Sequence, residues 1–181
     1  MTVTLGTLEL GPLDLSLLAP PVAAALSALP AVAAQAHTVA IDPDLADTAA
    51  LAAEHGIPPE VSANCVVVLG RRGGEQRAAA CVVLAHTRAD VNGLVRRTID
   101  VRKLSFAPQD WAVGETGMEY GGITPVGLPG GWPLLVDARV VEQPWVLVGS
   151  GLRRSKLALP GASLAGLPHA QVLESLGIPA A

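Results

Sequence analysis

Apolar and polar positions along this chain fall in short runs, and Gly, Pro and Asp cut it into many small elements. Residues 17–34 are apolar and uncharged but carry Pro20, Pro21 and Pro30, which predicts two short buried or amphipathic helices rather than one long one. Asp42-Pro43, an Ala/Leu-rich stretch and Gly56 predict a helix with Asp42 as cap, Pro43 in the first turn and Gly56 at the end. Ile57-Pro58-Pro59-Glu60 starts a second, short helix. Residues 66–69 and 77–84 are Val-rich strand runs, and Arg71-Arg72-Gly73-Gly74 between them predicts a β-hairpin. A helix is expected over 89–98, an edge strand over 101–106 and a short helix over 109–116. Strands follow over 133–137, 145–149 and 156–159, and a closing helix over 169–176. Helices, a hairpin, a helix and then several short strands read as an α+β fold, not an alternating parallel sheet.

Composition narrows this picture. A chain of 181 residues fits one domain, here 1–181, with one sizeable core. Half of it is hydrophobic but only 3% is aromatic, so that core is built from Ala, Val and Leu. Low charge and positive mean hydropathy argue against disorder. The apolar stretch 17–34 is broken by proline and too short to span a bilayer. No basic residue precedes Arg71, and Asp14 stands where a signal peptide carries positive charge, so the expected location is cytoplasmic. Cys65 and Cys81 sit in strand runs without a CxxC or paired-His pattern, so they read as small buried hydrophobes, and no metal site is expected.

Charge is segregated. Residues 1–70 hold seven acids and no Lys or Arg, while the remainder holds all twelve basic residues against nine acids. A protein that wraps duplex nucleic acid is more basic than this, whereas one that touches only the end of an RNA needs a local patch. Arg71/Arg72, Arg96/Arg97/Arg102/Lys103 and Arg153/Arg154/Lys156 are three candidate pieces of such a patch.

The candidate chemistry lies in loops. Residues 121–131 (GGITPVGLPGG) combine Gly, which permits close backbone approach, with Pro, which fixes φ, and place Thr124 near the centre. A rigid loop of this kind can hold a small ligand or offer N–H donors to a developing oxyanion. It has no P-loop Lys and does not match GxGxxG. Gly149-Ser150-Gly151 ends a strand and can receive a ribose or phosphate, but Ser150 is not in a GxSxG elbow. His37, His55, His86 and His169 share no motif.

Three segments carry a resemblance. Residues 47–68 (DTAALAAEHGIPPEVSANCVVV) are similar to the helix, GIPP turn and first strand of the YbaK/prolyl-tRNA synthetase-associated editing-domain family. Residues 118–137 (MEYGGITPVGLPGGWPLLVD) resemble that family's Gly-Gly-x-x-Pro-x-Gly loop and following strand, and residues 145–159 its closing Gly-Ser-Gly turn and strand. The resemblance implies a mixed, mostly antiparallel, barrel-like curled sheet flanked by helices, with residues 1–40 as family-variable N-terminal helices. It implies hydrolysis of the ester of a mischarged aminoacyl-tRNA in trans, with the tRNA 3′ end carrying a small amino acid as partner. Neither a cofactor nor a protein nucleophile is implied; backbone donors and the substrate's ribose hydroxyl orient water. Asn64, Gly121 and Gly122 are the implied catalytic positions. Ile123, Thr124, Pro125, Val126, Gly127, Asp137, Gly149, Ser150 and Gly151 are the implied substrate-binding positions.

One departure bears on activity. Gapless alignment from the GIPP turn puts the family's characteristic Lys at Asn64, which keeps a donor and an acceptor but loses the charge and the reach. Lys103 and Lys156 are the two lysines of the chain and so the two candidates to replace it. The alternative is a non-catalytic module that binds the aminoacyl end of tRNA.

Overall fold

A computed structural model describes residues 2–180. It opens with strands: β1 (Val3–Leu5) and β2 (Leu8–Pro12) form a hairpin that buries Val3, Leu5, Leu8 and Leu10. Helices α1 (Pro20–Ala28) and α2 (Pro30–Ala33) follow, each with proline in its first turn, and lead into β3 (His37–Ala40). The expectation of helices across residues 1–40 is thus corrected, since the two helices are framed by three strands. The alternation Val3/Leu5 and Leu8/Leu10 on either side of Gly6-Thr7 is the period-2 signal for that hairpin.

Residues 42–56 are not one helix. Asp42 caps a single turn, Pro43–Leu45, and Asp47 caps a new helix, α3 (Thr48–His55), by accepting from the Ala49 and Ala50 N–H groups at 2.9 and 3.1 Å. Both aspartates prefer an N-cap position, so the chain starts twice. A single turn, Pro59–Val61, stands where the second short helix was expected.

Strands β4 (Ala63–Arg72) and β5 (Glu75–Leu84) pair antiparallel from Ala63↔Leu84 to Arg72↔Glu75. Gly73 and Gly74 take φ of 57° and 87°, the left-handed values that a two-residue hairpin turn needs. After β6 (Thr87–Ala89), Asp90 caps a wide helical turn, Val91–Val95, that continues into one turn of α4 (Arg96–Thr98). The regular helix expected over 89–98 is therefore shorter and irregular. Next come β7 (Lys103–Phe106), α5 (Gln109–Thr116), β8 (Leu134–Asp137), α6 (Ala138–Val141), β9 (Val146–Gly149), β10 (Ser155–Leu159) and α7 (Gly161–Ala165).

The closing helix expected over 169–176 is instead β11 (Ala170–Leu173), followed by β12 (Gly177–Pro179). β11 lies parallel to β8 and satisfies that strand's otherwise open edge. His169 and Ser175, both at φ 60°, bracket it in a conformation that an α-helix cannot continue through.

The strands form two five-stranded sheets, β1-β2-β3-β10-β9 and β11-β8-β5-β4-β7, with β6 and β12 paired separately. Among the described residues only β8 pairs in parallel, with β5 and β11; the other ladders are antiparallel. A parallel bridge from Ser62 to Leu147 joins the start of β4 to β9, so the two sheets curl into a half-barrel flanked by helices. β5 is buried on both faces: Ala80, Val82 and Leu84 pack under α1 and β10, and Ala79, Cys81 and Val83 pack against Val91, Val95 and Ile99. That double burial is why its sequence is a continuous apolar run without alternation. Among the described residues no helix is long and apolar enough to cross a membrane.

Candidate active site

A cleft of about 480 Å³ opens at the seam between the sheets, bounded by the start of β4, the end of β9, α3, α5 and the loop after Tyr120. Asn64, Gly121, Ile123 and Gly149 line it, and so does Lys156. On β10, Lys156 lies opposite Gly149. The residue is only 5% exposed, and its Nζ donates to the Ala46 carbonyl at 2.7 Å. That carbonyl is available because the chain breaks between the Pro43–Leu45 turn and α3. Burial pulls the Lys156 pKa down to about 8, the Asp47 carboxylate opposes this, and Arg153 adds to it. An ammonium has three N–H donors, so two remain beyond the one held by Ala46.

Asn64 faces the same cleft from β4. The Thr48 hydroxyl donates to its Oδ1 at 2.7 Å, which fixes the amide and leaves its NH₂ without a protein acceptor among the described residues. Sequence reading placed Lys156 in a candidate basic patch with Arg153 and Arg154 and named it, with Lys103, as one of two lysines that could replace the family's. Its real signal was a lone charge inside the apolar strand Ser155–Leu159, which has every residue buried. The rest of that cluster is engaged elsewhere: Arg153 donates to the carbonyls of Tyr120 and Pro43, and Arg154 to that of Ser16.

The Gly-rich loop is laced to the Gly149-Ser150-Gly151 turn. Gly122 N–H donates to Glu119 O, Gly151 N–H to Gly122 O at 2.7 Å, and Glu119 N–H to Gly151 O at 2.8 Å. By contrast, the N–H groups of Gly121 and Ile123, the two loop residues on the cleft wall, have no acceptor among the described residues. Gly149 is glycine because a Cβ there would sit 2.3 Å from the Gly122 carbonyl oxygen. Gly149→Ala is therefore expected to lose about 1–3 kcal/mol, with melting temperature falling about 2–4 °C per kcal/mol in a chain of this size. A thermal melt unchanged from wild type would contradict this packing.

The remaining positions lie outside the cleft lining. Thr124 is fully buried and its hydroxyl has no partner among the described residues, and Val126 belongs to the main core. Pro125 and Gly127 line a separate cavity of about 250 Å³ beside Leu29 and Trp132. Ser150 is buried and bonded to Ser155 Oγ at 2.8 Å, and Gly151 packs against Ala19. Asp137 caps α6 and pairs with Arg139 through two hydrogen bonds of 2.9 and 3.0 Å. Burial pushes its carboxyl up, but the bonds from Arg139 and from Gly177 N–H outweigh this and hold it below the usual range. Asp137 thus fastens the C-terminal strand to α6. Cys65 lines the cleft, yet burial pushes its thiol up, as it pushes Cys81 to about 12, so neither is a thiolate near neutral pH.

A half-barrel cleft that gathers an ammonium, a side-chain amide and unengaged backbone N–H groups is equipped to hold a group on which negative charge develops. Over residues 42–167 the sequence matches the aminoacyl-tRNA editing domain. The chain belongs to that family. Solved structures share its fold, three of them as follows. One is a candidate trans-editing enzyme for prolyl-tRNA synthetase, with TM-score 0.70, 22% identity, and coverage of 87% of this chain and 97% of that one. A hypothetical protein has TM-score 0.72, 21% identity and coverage of 84% and 97%. A scaffold protein used in computational epitope grafting has TM-score 0.72, 23% identity and coverage of 90% and 97%.

Proposed function

We propose that the chain is an aminoacyl-tRNA deacylase that hydrolyses the ester of a mischarged aminoacyl-tRNA in trans, in the cytoplasm, with the tRNA 3′ end in this cleft. Water attacks the ester carbonyl, whose oxygen becomes an oxyanion; the oxyanion collapses to re-form the carbonyl, the C–O bond to the ribose breaks, and the ribose oxygen takes the proton that the attacking water gives up. Gly121 and Ile123 N–H donate to the oxyanion, and the Lys156 ammonium supplies the positive charge. The Asn64 amide orients the ester or the attacking water. Gly122, Gly149, Ser150 and Gly151 hold the loop in place, and Ala46, Ala63, Cys65 and Ala107 leave room for a small amino acid. An aminoacyl ester is already activated, so positioning and oxyanion stabilisation suffice without a protein nucleophile.

The observation that carries this reading is Lys156 beside Asn64: the cleft keeps a cation, delivered from β10 instead of β4. The test is deacylation across a panel of mischarged tRNAs with purified protein. Acceleration of one or a few small aminoacyl esters is expected. Rates equal to the uncatalysed reaction across the panel, together with saturable tRNA binding, would return the chain to a non-catalytic binding module.

A further inference from the structure

Among the described residues the cleft lining carries two charged side chains, Lys156 and Asp47. Of the seven acids in residues 1–70, Asp47 is the one at this wall; the other six lie outside the lining. Its carboxylate is only half engaged. Oδ1 caps α3 by taking both the Ala49 and Ala50 N–H groups, and Oδ2 accepts from no donor among the described residues. Capping needs one oxygen and no charge, since Asn caps a helix as well as Asp does. Nor is the carboxylate spent on Lys156. That ammonium bonds to the carbonyl of Ala46, the preceding residue, and no ion pair between the two side chains lies within 4.0 Å. One wall of the cleft thus sets an open carboxylate oxygen next to a held ammonium.

An aminoacyl ester brings a cation of its own. Near neutral pH its α-amino group is largely protonated, and it sits on the carbon next to the ester carbonyl. Turning the carbonyl oxygen toward Lys156 and the Gly121 and Ile123 N–H groups therefore carries a second ammonium into a cleft that already holds one. Like charges in one site disfavour each other. A carboxylate beside Lys156 offsets that repulsion and gives the incoming ammonium a charged acceptor. An ester with a hydroxyl in place of the ammonium, or with the amine acylated, brings no charge and gains nothing from it.

We infer that the open oxygen of Asp47 binds the α-ammonium of the acyl group, so that the cleft selects esters with a free α-amino group over α-hydroxy acyl and N-acyl esters. Lys156 and Asp47 then meet opposite charges on neighbouring carbons of one substrate, the developing oxyanion and the ammonium. The inference rests on the proposed deacylase reading for where the ester lies, but the preference for an ammonium is a binding property, measurable without any hydrolysis.

The probes are two non-hydrolysable amides of 3′-amino-3′-deoxyadenosine, one alanyl and one lactyl, titrated by calorimetry near neutral pH. They differ only in ammonium against hydroxyl. Wild type should bind the alanyl amide about fivefold more tightly, a modest factor for a charge-assisted bond because Asp47 is exposed to solvent. Asp47→Asn keeps the cap and should bring the ratio to one or below, with melting temperature close to wild type. The ratio within each protein is the readout, because the Asp47 charge also helps Lys156 keep its proton, and losing that help touches both amides. Asp44→Asn removes the same charge outside the cleft lining and should keep the wild-type ratio. Equal affinity of wild type for the two amides, no binding of either at millimolar concentration, a preference retained by Asp47→Asn, or an equal loss in Asp44→Asn would each overturn the assignment. A preference that Asp47→Asn abolishes, in a protein inactive on every aminoacyl-tRNA, would uphold the subsite and sink the deacylase reading. Alanyl and lactyl esters of one tRNA hydrolysed with equal kcat/KM would do the reverse.

Discussion

Lys156→Met is expected to lower the deacylation rate by about 100-fold, the typical consequence of removing one preorganised charge or donor from a developing oxyanion, while leaving the protein at least as stable. Methionine keeps the length and apolar stem of lysine and drops only the ammonium. A pKa of about 8 against an ordinary 10.5 means that the unfolded chain holds this proton more tightly than the folded one. The shift corresponds to on the order of 3 kcal/mol disfavouring the buried ammonium. That penalty is fully present below pH 8 and is relieved as pH rises from about 8 to 10.5, so wild-type stability should climb through this window. The variant has nothing to titrate there and should show no such climb. A melting temperature well below wild type at pH 7, with lost activity, would mark Lys156 as structural.

The second large effect is a rescue. Asn64 and Lys156 reach one cleft from different strands, so a cation should be transferable between them. Adding Asn64→Lys to Lys156→Met should restore the rate to within about tenfold of wild type, since the interaction regained is again electrostatic and needs less exact geometry than a bond-forming group. Asn64→Lys alone should behave differently. Two ammonium groups in one cleft depress each other's pKa, and the Thr48 hydroxyl loses its acceptor, at a cost of about 1 kcal/mol. The single variant should therefore melt lower and lose activity at a lower pH than wild type. Failure of the double variant to exceed Lys156→Met, with both folded, would show that cation placement does not govern the rate.

What the sequence made readable follows from which forces are local. The β4–β5 hairpin is announced by Gly73-Gly74 between Val-rich runs, and α5 was expected at the bounds it has, because turn chemistry and short-range pattern decide both. β11 is decided by the open edge of β8, a partner more than thirty residues away, and nothing within 170–173 distinguishes it from a helical turn. The cleft divides in the same way. Asn64, Gly121, Ile123 and Gly149 are marked by motif and do line it, whereas Ser150, the centre of the same Gly-Ser-Gly turn as Gly149, and Asp137, at the end of the strand after the Gly-rich loop, face inward to bonds of their own. Lys156 depends on long-range pairing: the carbonyl that holds it is 110 residues away in sequence, exposed by a helix break that two competing aspartate caps create.

The most direct measurement is the pH dependence of kcat/KM, the deacylation rate at aminoacyl-tRNA well below saturation, which reports the free enzyme's groups, with uncatalysed ester hydrolysis subtracted at each pH. With the ammonium of Lys156 as the stabilising charge, the rate should fall as pH rises through about 8, and that limb should be absent from Lys156→Met. A wild-type rate that stays flat or keeps rising to about pH 9.5 would contradict the assignment, because the neutral amine would then serve as well as the cation.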